Sequence, residues 1–368
     1  MIERGSSDVN VLIVDTTIYS GQPLLSFQPP EPGYNVSMFD EAPFVRPLHT
    51  KRTHKAIYRL MGRRPATAWE LNARLVEAAE SCRPDVVIVA KGSYVFPKTL
   101  RRMKMLGALV VNYATDDPFN KRNGDGWLRD SIPEYDLYAC TKRAIMADVR
   151  AAGCDRTAFV KFGYNPDLHF PEHASTTAEA ETFSSDVAFV GTADRDRWPY
   201  LDALLSIPGL RLALYGSNWH RQPERFSRLA RGMAVGRDYR LALSGTKIAL
   251  GLLRSENRDQ HTMRTFEIPA CEGFLCAQRT AEHEAILRDG QEAIFFNDPD
   301  DLRSKVTKYL REDEARLTIA RAGRRAVSDG AHTYADRIVE MVHLAARSGE
   351  RSNRTRETGE SHLHAAGR

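Results

Sequence analysis

The sequence has no long apolar run: stretches such as Val86–Ala90 and Ala108–Val111 are strand-sized, far below the ~20 residues that cross a bilayer. A membrane-spanning helix is therefore not expected. Cysteine is scarce and unpatterned. The five cysteines, Cys82, Cys140, Cys154, Cys271 and Cys276, include no C-x-x-C pair, which argues against a zinc module or a disulfide framework and for a reducing compartment. The start, MIERGSSDVNVLIVD, lacks the basic region, apolar core and small-residue cleavage site of a secretory leader, so a cytoplasmic location is expected. Walker A is missing and no G-x-G-x-x-G follows a strand-like run, which disfavours an ATPase or a conventional dehydrogenase. A large excess of one charge sign is also missing. The net charge is +4, no recognition motif is present, and nucleic acid is not an expected partner.

What is present is a globular composition, 42% hydrophobic and 27% charged over 368 residues, long enough for two domains. The charge is unevenly spread: residues 1–165 carry 23 Lys+Arg against 18 Asp+Glu, and residues 166–346 carry 24 against 27. Short β-branched runs alternate with helical stretches, the rhythm of an α/β fold with parallel sheets. In the first half, strands are expected at Val9–Val14, Asp85–Ala90, Ala108–Tyr113, Tyr135–Cys140 and Thr157–Phe162, with helices at Ala66–Ala79, Pro97–Leu106 and Lys142–Ala152. The rhythm lapses in GYNPDLHFPEHASTTAEAETFSS and restarts at Asp186–Val190. The expected division is therefore a first domain over 1–165, a linker over 166–185, a second domain over 186–346 ending in the helix Tyr334–Ala346, and a disordered tail over 347–368.

In open parallel sheets, ligands bind beyond the carboxyl ends of the strands, where helix N-termini favour anions. Gly191 follows a strand directly, so backbone can approach a phosphate there, and Arg195 and Arg197 can pair with it; the plain alternative is a turn with solvated arginines. In NRDQHTMRTFEIPACEGFLC, Pro269 confines the helix start to about Thr265 or Phe266 and sets Glu267 at its positive end. That carboxylate can accept sugar or ribose hydroxyls, or merely cap the helix. His261, Arg264 and Thr265 stand just upstream. In ATDDPF, Asp116 and Asp117 follow a strand and can act as a base toward a hydroxyl, or form an Asx turn before Pro118. Asp194-x-Asp196 and Asp298-x-Asp300 are the further acidic pairs, but a metal is not expected. Of His49, His54, His261, His283 and His332, none has ligand spacing, and only His261 has a functional claim. Residues 45–64, VRPLHTKRTHKAIYRLMGRR, mix basic and apolar side chains in a manner suited to an acidic acceptor or an anionic membrane surface, or to a solvated helix.

The segment TMRTFEIPACEGFLCAQRTAEHEAILRDGQEAIFFNDPDDL, followed by AGRRAV and HTYADR, resembles the C-terminal domain of glycosyltransferases of the spore-maturation CgeB type. These lie within the wider GT-B group with a glycosyl-transferases-group-1 C-terminal domain. The resemblance spans roughly Asp186–Arg337 and extends more weakly to VVNYATDDPFN, YDLYACTKRAIMADVRAAG and FGYNPDLHFP. It implies two Rossmann-like parallel-sheet domains facing a cleft, the second holding a nucleotide-sugar donor and the first an acceptor. By this resemblance Glu267 matches the second acid of an E-x7-E motif and binds ribose, whereas the first position is the shorter Asp259. Arg195 or Arg197, helped by Lys247 or Arg264, would hold the diphosphate, and Gly216, Asn218 and Trp219 would lie near the base. Glu272 stands where many relatives have glycine.

The function expected is metal-independent and cofactor-free transfer of a sugar from a UDP-, GDP- or TDP-sugar to a glycan, lipid or small-molecule acceptor, with peripheral contact at the inner membrane surface. A nucleotide-sugar epimerase and a catalytically silent assembly or surface-maturation protein are the rival readings.

Overall fold

The computed structural model describes residues 8–16, 32–45, 67–120 and 127–347. The basic stretch beyond Val45 and the tail beyond Arg347 lie outside the described residues. Two compact units are present: one holds the described residues up to Lys161 together with those from Ala335 onward, and the other spans Phe162–Tyr334.

The first unit is built on a six-stranded sheet of β1 (Val9–Asp15), β2 (Tyr34–Asp40), β3 (Val86–Ala90), β4 (Leu109–Ala114), β5 (Leu137–Cys140) and β6 (Thr157–Phe159). Their order is β2-β1-β3-β4-β5-β6, and all pairings are parallel. Helices α1 (Ala68–Cys82), α2 (Pro97–Met105) and α3 (Met146–Ala151) connect them. All five side chains of β3 are buried, because a central parallel strand is covered on both faces and so must be apolar throughout. The three valines and Ile88 each contribute ~1.5–3 kcal/mol of burial when fully packed. Pro97 opens α2 at a position where no N–H is needed. In contrast β2 is an edge strand with three of its seven residues exposed and none buried, and its mixed sequence YNVSMFD carries no strand signal.

The second unit holds β7 (Ser185–Val190), β8 (Leu212–Tyr215), β9 (Thr246–Gly251), β10 (Leu275–Gln278) and β11 (Ile294–Phe296), in the order β11-β10-β9-β7-β8, again parallel. One apolar cluster on Phe266, Ala249 and Phe295 and another on Phe189, Trp219 and Ile248 supply its core. Its helices are α4 (Thr177–Phe183), α5 (Trp198–Leu205), α6 (Glu224–Ser227), α7 (Arg237–Ser244), α8 (Arg264–Ala270), α9 (Ala281–Ile286), α10 (Pro299–Tyr309) and α11 (Asp313–Ser328).

Two features differ from the division expected from sequence. The stretch 166–185 is folded onto the second unit: Glu172 accepts from Arg237 and Arg240 at 2.6 Å each, and α4 is capped by Thr176. The final helix α12 (Tyr334–Ala346) belongs with the first unit. There Arg156 donates to the Leu344 carbonyl at 2.9 Å and His343 meets the Tyr34 hydroxyl at 3.2 Å. At its start the chain runs beside its own entry into the second unit, with Tyr164 N–H donating to His332 O at 3.1 Å and Tyr334 N–H to Tyr164 O at 3.0 Å.

Candidate functional site

All strands of the second sheet run one way, so the loops after β7, β8 and β9 share one edge. Gly216 has a positive φ of 122°, and a Cβ there would meet the Gly191 carbonyl oxygen at 2.3 Å. Gly191 is equally confined, since a Cβ would meet the Phe189 ring at 2.6 Å. The first two loops are thus pressed backbone to backbone, which only glycine permits.

Helix α8 begins at Arg264, one residue earlier than expected, and Pro269 falls in its second turn. Pro269 has no N–H to give the Thr265 carbonyl, so this short helix forgoes one hydrogen bond there. Glu267 lies in the first turn and is buried; its Oε2 accepts from the Tyr239 hydroxyl at 2.9 Å and from Arg264, and His169 Nε2 stands 3.5 Å from Oε1. Burial, the largest single effect, would raise the Glu267 pKa, but Arg264, His169 and the Tyr239 hydroxyl together outweigh it and hold the carboxyl below its ordinary value. Arg264 is anchored in turn by donation to Val190 O at 3.0 Å, at the end of β7. An ionised carboxylate offers about four acceptor sites, so Oε1 retains capacity for a ligand hydroxyl.

Arg197 is the second notable charge. It is 7% exposed, donates to Thr192 O and, at 3.5 Å, to Leu252 O, and packs over the Phe189 ring at 4.7 Å. Its Nε has no hydrogen-bond partner, and among the described residues it forms no ion pair. Burial lowers its pKa to about 10, with Arg254 acting in the same direction; it remains a cation at neutral pH. Arg195 is exposed beside Trp198, 5.5 Å from its ring.

The other residues singled out from sequence have definite places. Asp259 accepts from Asn257 at 2.7 Å and lies 3.7 Å from Arg254. Thr265 is buried, its hydroxyl 3.0 Å from His283 Nε2. Asn218 takes a left-handed φ of 67° in the loop after β8. Trp219 is 1% exposed inside the core, its indole N–H donating to Gly191 O at 2.8 Å; it holds the two glycine loops together and offers no face to a base. Lys247 stands at the amino end of β9, the opposite edge of the sheet, and pairs there with Asp186 at 3.3 Å, so it cannot assist a diphosphate at the carboxyl edge. His261 is fully buried: Nε2 accepts the Phe162 N–H at 3.2 Å, which leaves the ring proton on Nδ1 facing Glu282 at 2.6 Å. Both nitrogens are engaged in structure. Glu272 has a φ of 58° and ion-pairs with Arg324 at 3.1 Å, which explains why glycine suits this position in the resembling family.

In the first unit Asp116 pairs with Lys91 at 3.2 Å. Asp117 is buried and its Oδ1 accepts the Phe119 N–H at 2.8 Å, the Asx turn weighed as the plain alternative. Asp196 accepts from the Ser255 N–H at 3.1 Å and Asp298 caps α10. Among the described residues no three His, Cys, Asp or Glu side chains are placed to hold a metal, and no helix is long and apolar enough to cross a membrane.

His169, Tyr239 and Arg254 were not anticipated. His169 and Tyr239 come from segments far from Glu267 in sequence; FGYNPDLHFP was the only pointer to His169, and nothing in the sequence pointed to Tyr239 or Arg254.

Residues 195–343 match a family model described as glycosyl transferase-like. No curated protein is significantly similar in sequence. Among solved structures, HepE from Anabaena in complex with UDP-glucose is similar with a TM-score of 0.59 at 14% identity, over 93% of this chain and 99% of that one. A glycosyltransferase from Rickettsia africae gives 0.58 at 10%, over 93% and 99%. Sucrose-phosphate synthase from Thermosynechococcus elongatus gives 0.57 at 11%, over 95% and 100%. The fold is GT-B, with two parallel-sheet α/β units, and the glycosyl transferase-like match covers most of the second unit and runs into α12.

Proposed function

We propose that the protein transfers a sugar from a nucleoside-diphosphate sugar to an acceptor hydroxyl, with the donor held at the carboxyl edge of the second sheet. The observation that carries this reading is Glu267, a buried carboxylate kept ionised by Arg264 and Tyr239 in the first turn of α8, with one oxygen left to receive ribose hydroxyls. Arg197, a buried cation without a carboxylate partner, and the exposed Arg195 supply charge for the diphosphate. Stabilising the leaving diphosphate in this way needs no metal, and the close glycine loops let backbone approach it. HepE bound to UDP-glucose, and the same protein with UDP and glucose, make a UDP-sugar the first donor to try. Within this reading the subtype is CgeB-like.

An anionic or membrane-associated acceptor is proposed from the basic stretch 45–64 alone. The cationic helix α2 adds little to it, because Arg101, Arg102 and Lys104 are matched by Glu134, Glu80 and Asp136. Calorimetry with UDP tests the donor reading. Glu267→Gln keeps shape and removes charge; an affinity loss of about 10-fold or more is expected, from ~1.5–3 kcal/mol for a charged hydrogen bond. UDP affinity equal to wild type would defeat the assignment. Incubation of wild type with UDP-sugar and no acceptor separates transfer from epimerisation.

A further inference from the structure

Residues 166–172 fall in the linker expected from sequence, yet they deliver a side chain to the donor carboxylate. Their turn is built on Asn165, whose carbonyl accepts from the Leu168 N–H at 3.1 Å and the His169 N–H at 2.8 Å, and whose Oδ1 accepts the Asp167 N–H at 2.9 Å. Arg240 of α7 fastens the turn, donating to Leu168 O at 3.2 Å and to Glu172 at 2.6 Å. His169 is thereby set against Glu267, with Nε2 3.5 Å from Oε1, and edge-on to the Tyr239 ring at 5.7 Å. Tyr239 and Arg264 hold the other oxygen, Oε2, so each oxygen of the carboxylate has its own protein partner. The pair is not sealed from solvent: 13% of the His169 side chain and 5% of the Glu267 side chain remain open.

The far side of the imidazole makes this contact adjustable. Nδ1 faces both polar groups of the Asn165 backbone, the N–H at 3.2 Å and the carbonyl oxygen at 3.1 Å. A neutral ring accepts from that N–H and keeps its proton on Nε2, toward Oε1. An imidazolium donates from Nδ1 to the carbonyl and from Nε2 to Oε1. Either protonation state is thus satisfied at Nδ1, and the two differ in what they ask of Glu267. The neutral contact, at 3.5 Å, is long and weak. A charged one closes to ~2.7–2.9 Å and is roughly twice as strong, which draws Oε1 onto the ring.

We propose that His169 is a positioning residue that gates the donor site: neutral, it steadies Glu267 and leaves Oε1 to a ribose hydroxyl; protonated, it takes that oxygen for itself. The inference rests on the sugar-transfer reading, in which Glu267 receives the ribose. The charged groups facing His169 are Glu267 and Arg264 from α8 and Arg240 from α7, with the Tyr239 ring beside them. Burial, the largest effect, and the two arginines hold the imidazole below its ordinary 6.5, against the pull of Glu267 and the Asn165 carbonyl. The neutral, donor-ready form therefore prevails above 6.5, and donor binding weakens as pH falls through the imidazole's pKa. Glu267 is held below 4.5, so its own protonation does not enter until the solution is more acid still.

The test is calorimetry with UDP-glucose between about pH 5 and about pH 8, a ligand whose two phosphates are both esterified and do not titrate there. Wild type is expected to bind about threefold or more weakly at the acid end. Near about pH 6 it is expected to release a fraction of a proton on binding, read as a heat that changes with the ionisation enthalpy of the buffer. His169→Gln has an amide that donates to Oε1 but takes no proton. It is expected to bind at the alkaline end within about threefold of wild type and to lose both the acid weakening and the proton release. His169→Phe keeps a ring and loses the donor, and is expected to bind about threefold or more weakly than wild type at the alkaline end, with a flat profile. The proposal is overturned if wild-type affinity is flat or rises toward acid, if the acid fall persists in His169→Gln, or if His169→Phe binds as wild type does. Failure of wild type to bind any UDP-, GDP- or TDP-sugar is a separate result that removes the donor reading and this inference with it.

Discussion

A cation buried without a carboxylate costs stability, because desolvation of its charge is not offset by a partner. Arg197 is in that position, held only by two carbonyls and an aromatic face. Its replacement therefore separates fold from function by sign. Arg197→Met keeps volume and removes charge; thermal melts are expected to stay within ~1 kcal/mol of wild type or rise, while calorimetry shows UDP bound about tenfold or more weakly. A variant that melts far earlier with unchanged UDP affinity would make Arg197 a structural residue. At this scale the sequence was legible where polar residues crowd the start of one helix, as with Arg264, Thr265 and Glu267. It was not legible for Tyr239 or His169, which reach Glu267 from other elements. His261 shows the converse: a polar histidine in a promising loop spends both nitrogens on a backbone N–H and a carboxylate.

Among elements, strands covered on both faces announce themselves as continuous apolar runs, which is why β3 and β7 were visible in the sequence. Edge strand β2 and helix α4 hold few buried side chains, so neither pattern nor composition marks them. The turn after α8 carries a measurable strain. A non-glycine residue in the left-handed region costs roughly 1–2 kcal/mol, and the exposed ion pairs of Glu272 with Arg321 and Arg324 return at most about 1 kcal/mol. Glu272→Gly is accordingly expected to leave the melting temperature unchanged or raise it. Glu272→Val, which keeps the strain and loses the ion pairs, is expected to lower it. A large loss of stability in the glycine variant would contradict the strain argument.

For the whole molecule, one buried titrating group in each unit gives the two units opposite pH responses. Burial, with Asp15 and Asp40, raises Glu41 from 4.5 to about 8, so the folded first unit binds the proton more tightly than the unfolded chain. Its contribution is complete below 4.5 and is lost as pH rises to about 8, at about 1.4 kcal/mol per pH unit. Burial lowers His283 from 6.5 to about 4; the second unit keeps that contribution above 6.5 and loses it as pH falls toward 4. Scanning calorimetry is expected to resolve transitions that move apart, the first unit weakening on the alkaline side and the second on the acid side. Glu41→Gln is expected to abolish the alkaline shift alone. Parallel movement of both transitions with pH would refute this account.

The pairing of Tyr164 with His332 and Tyr334 has a consequence for how such a chain is assembled. The second unit enters and leaves at adjacent points, so in topological terms it is an insertion within the first, whose own last helix is made only after the insert is complete. The first unit must wait for its C-terminal piece. The insert has its two ends side by side, so it can complete its own fold during synthesis before the last helix of the first unit is made.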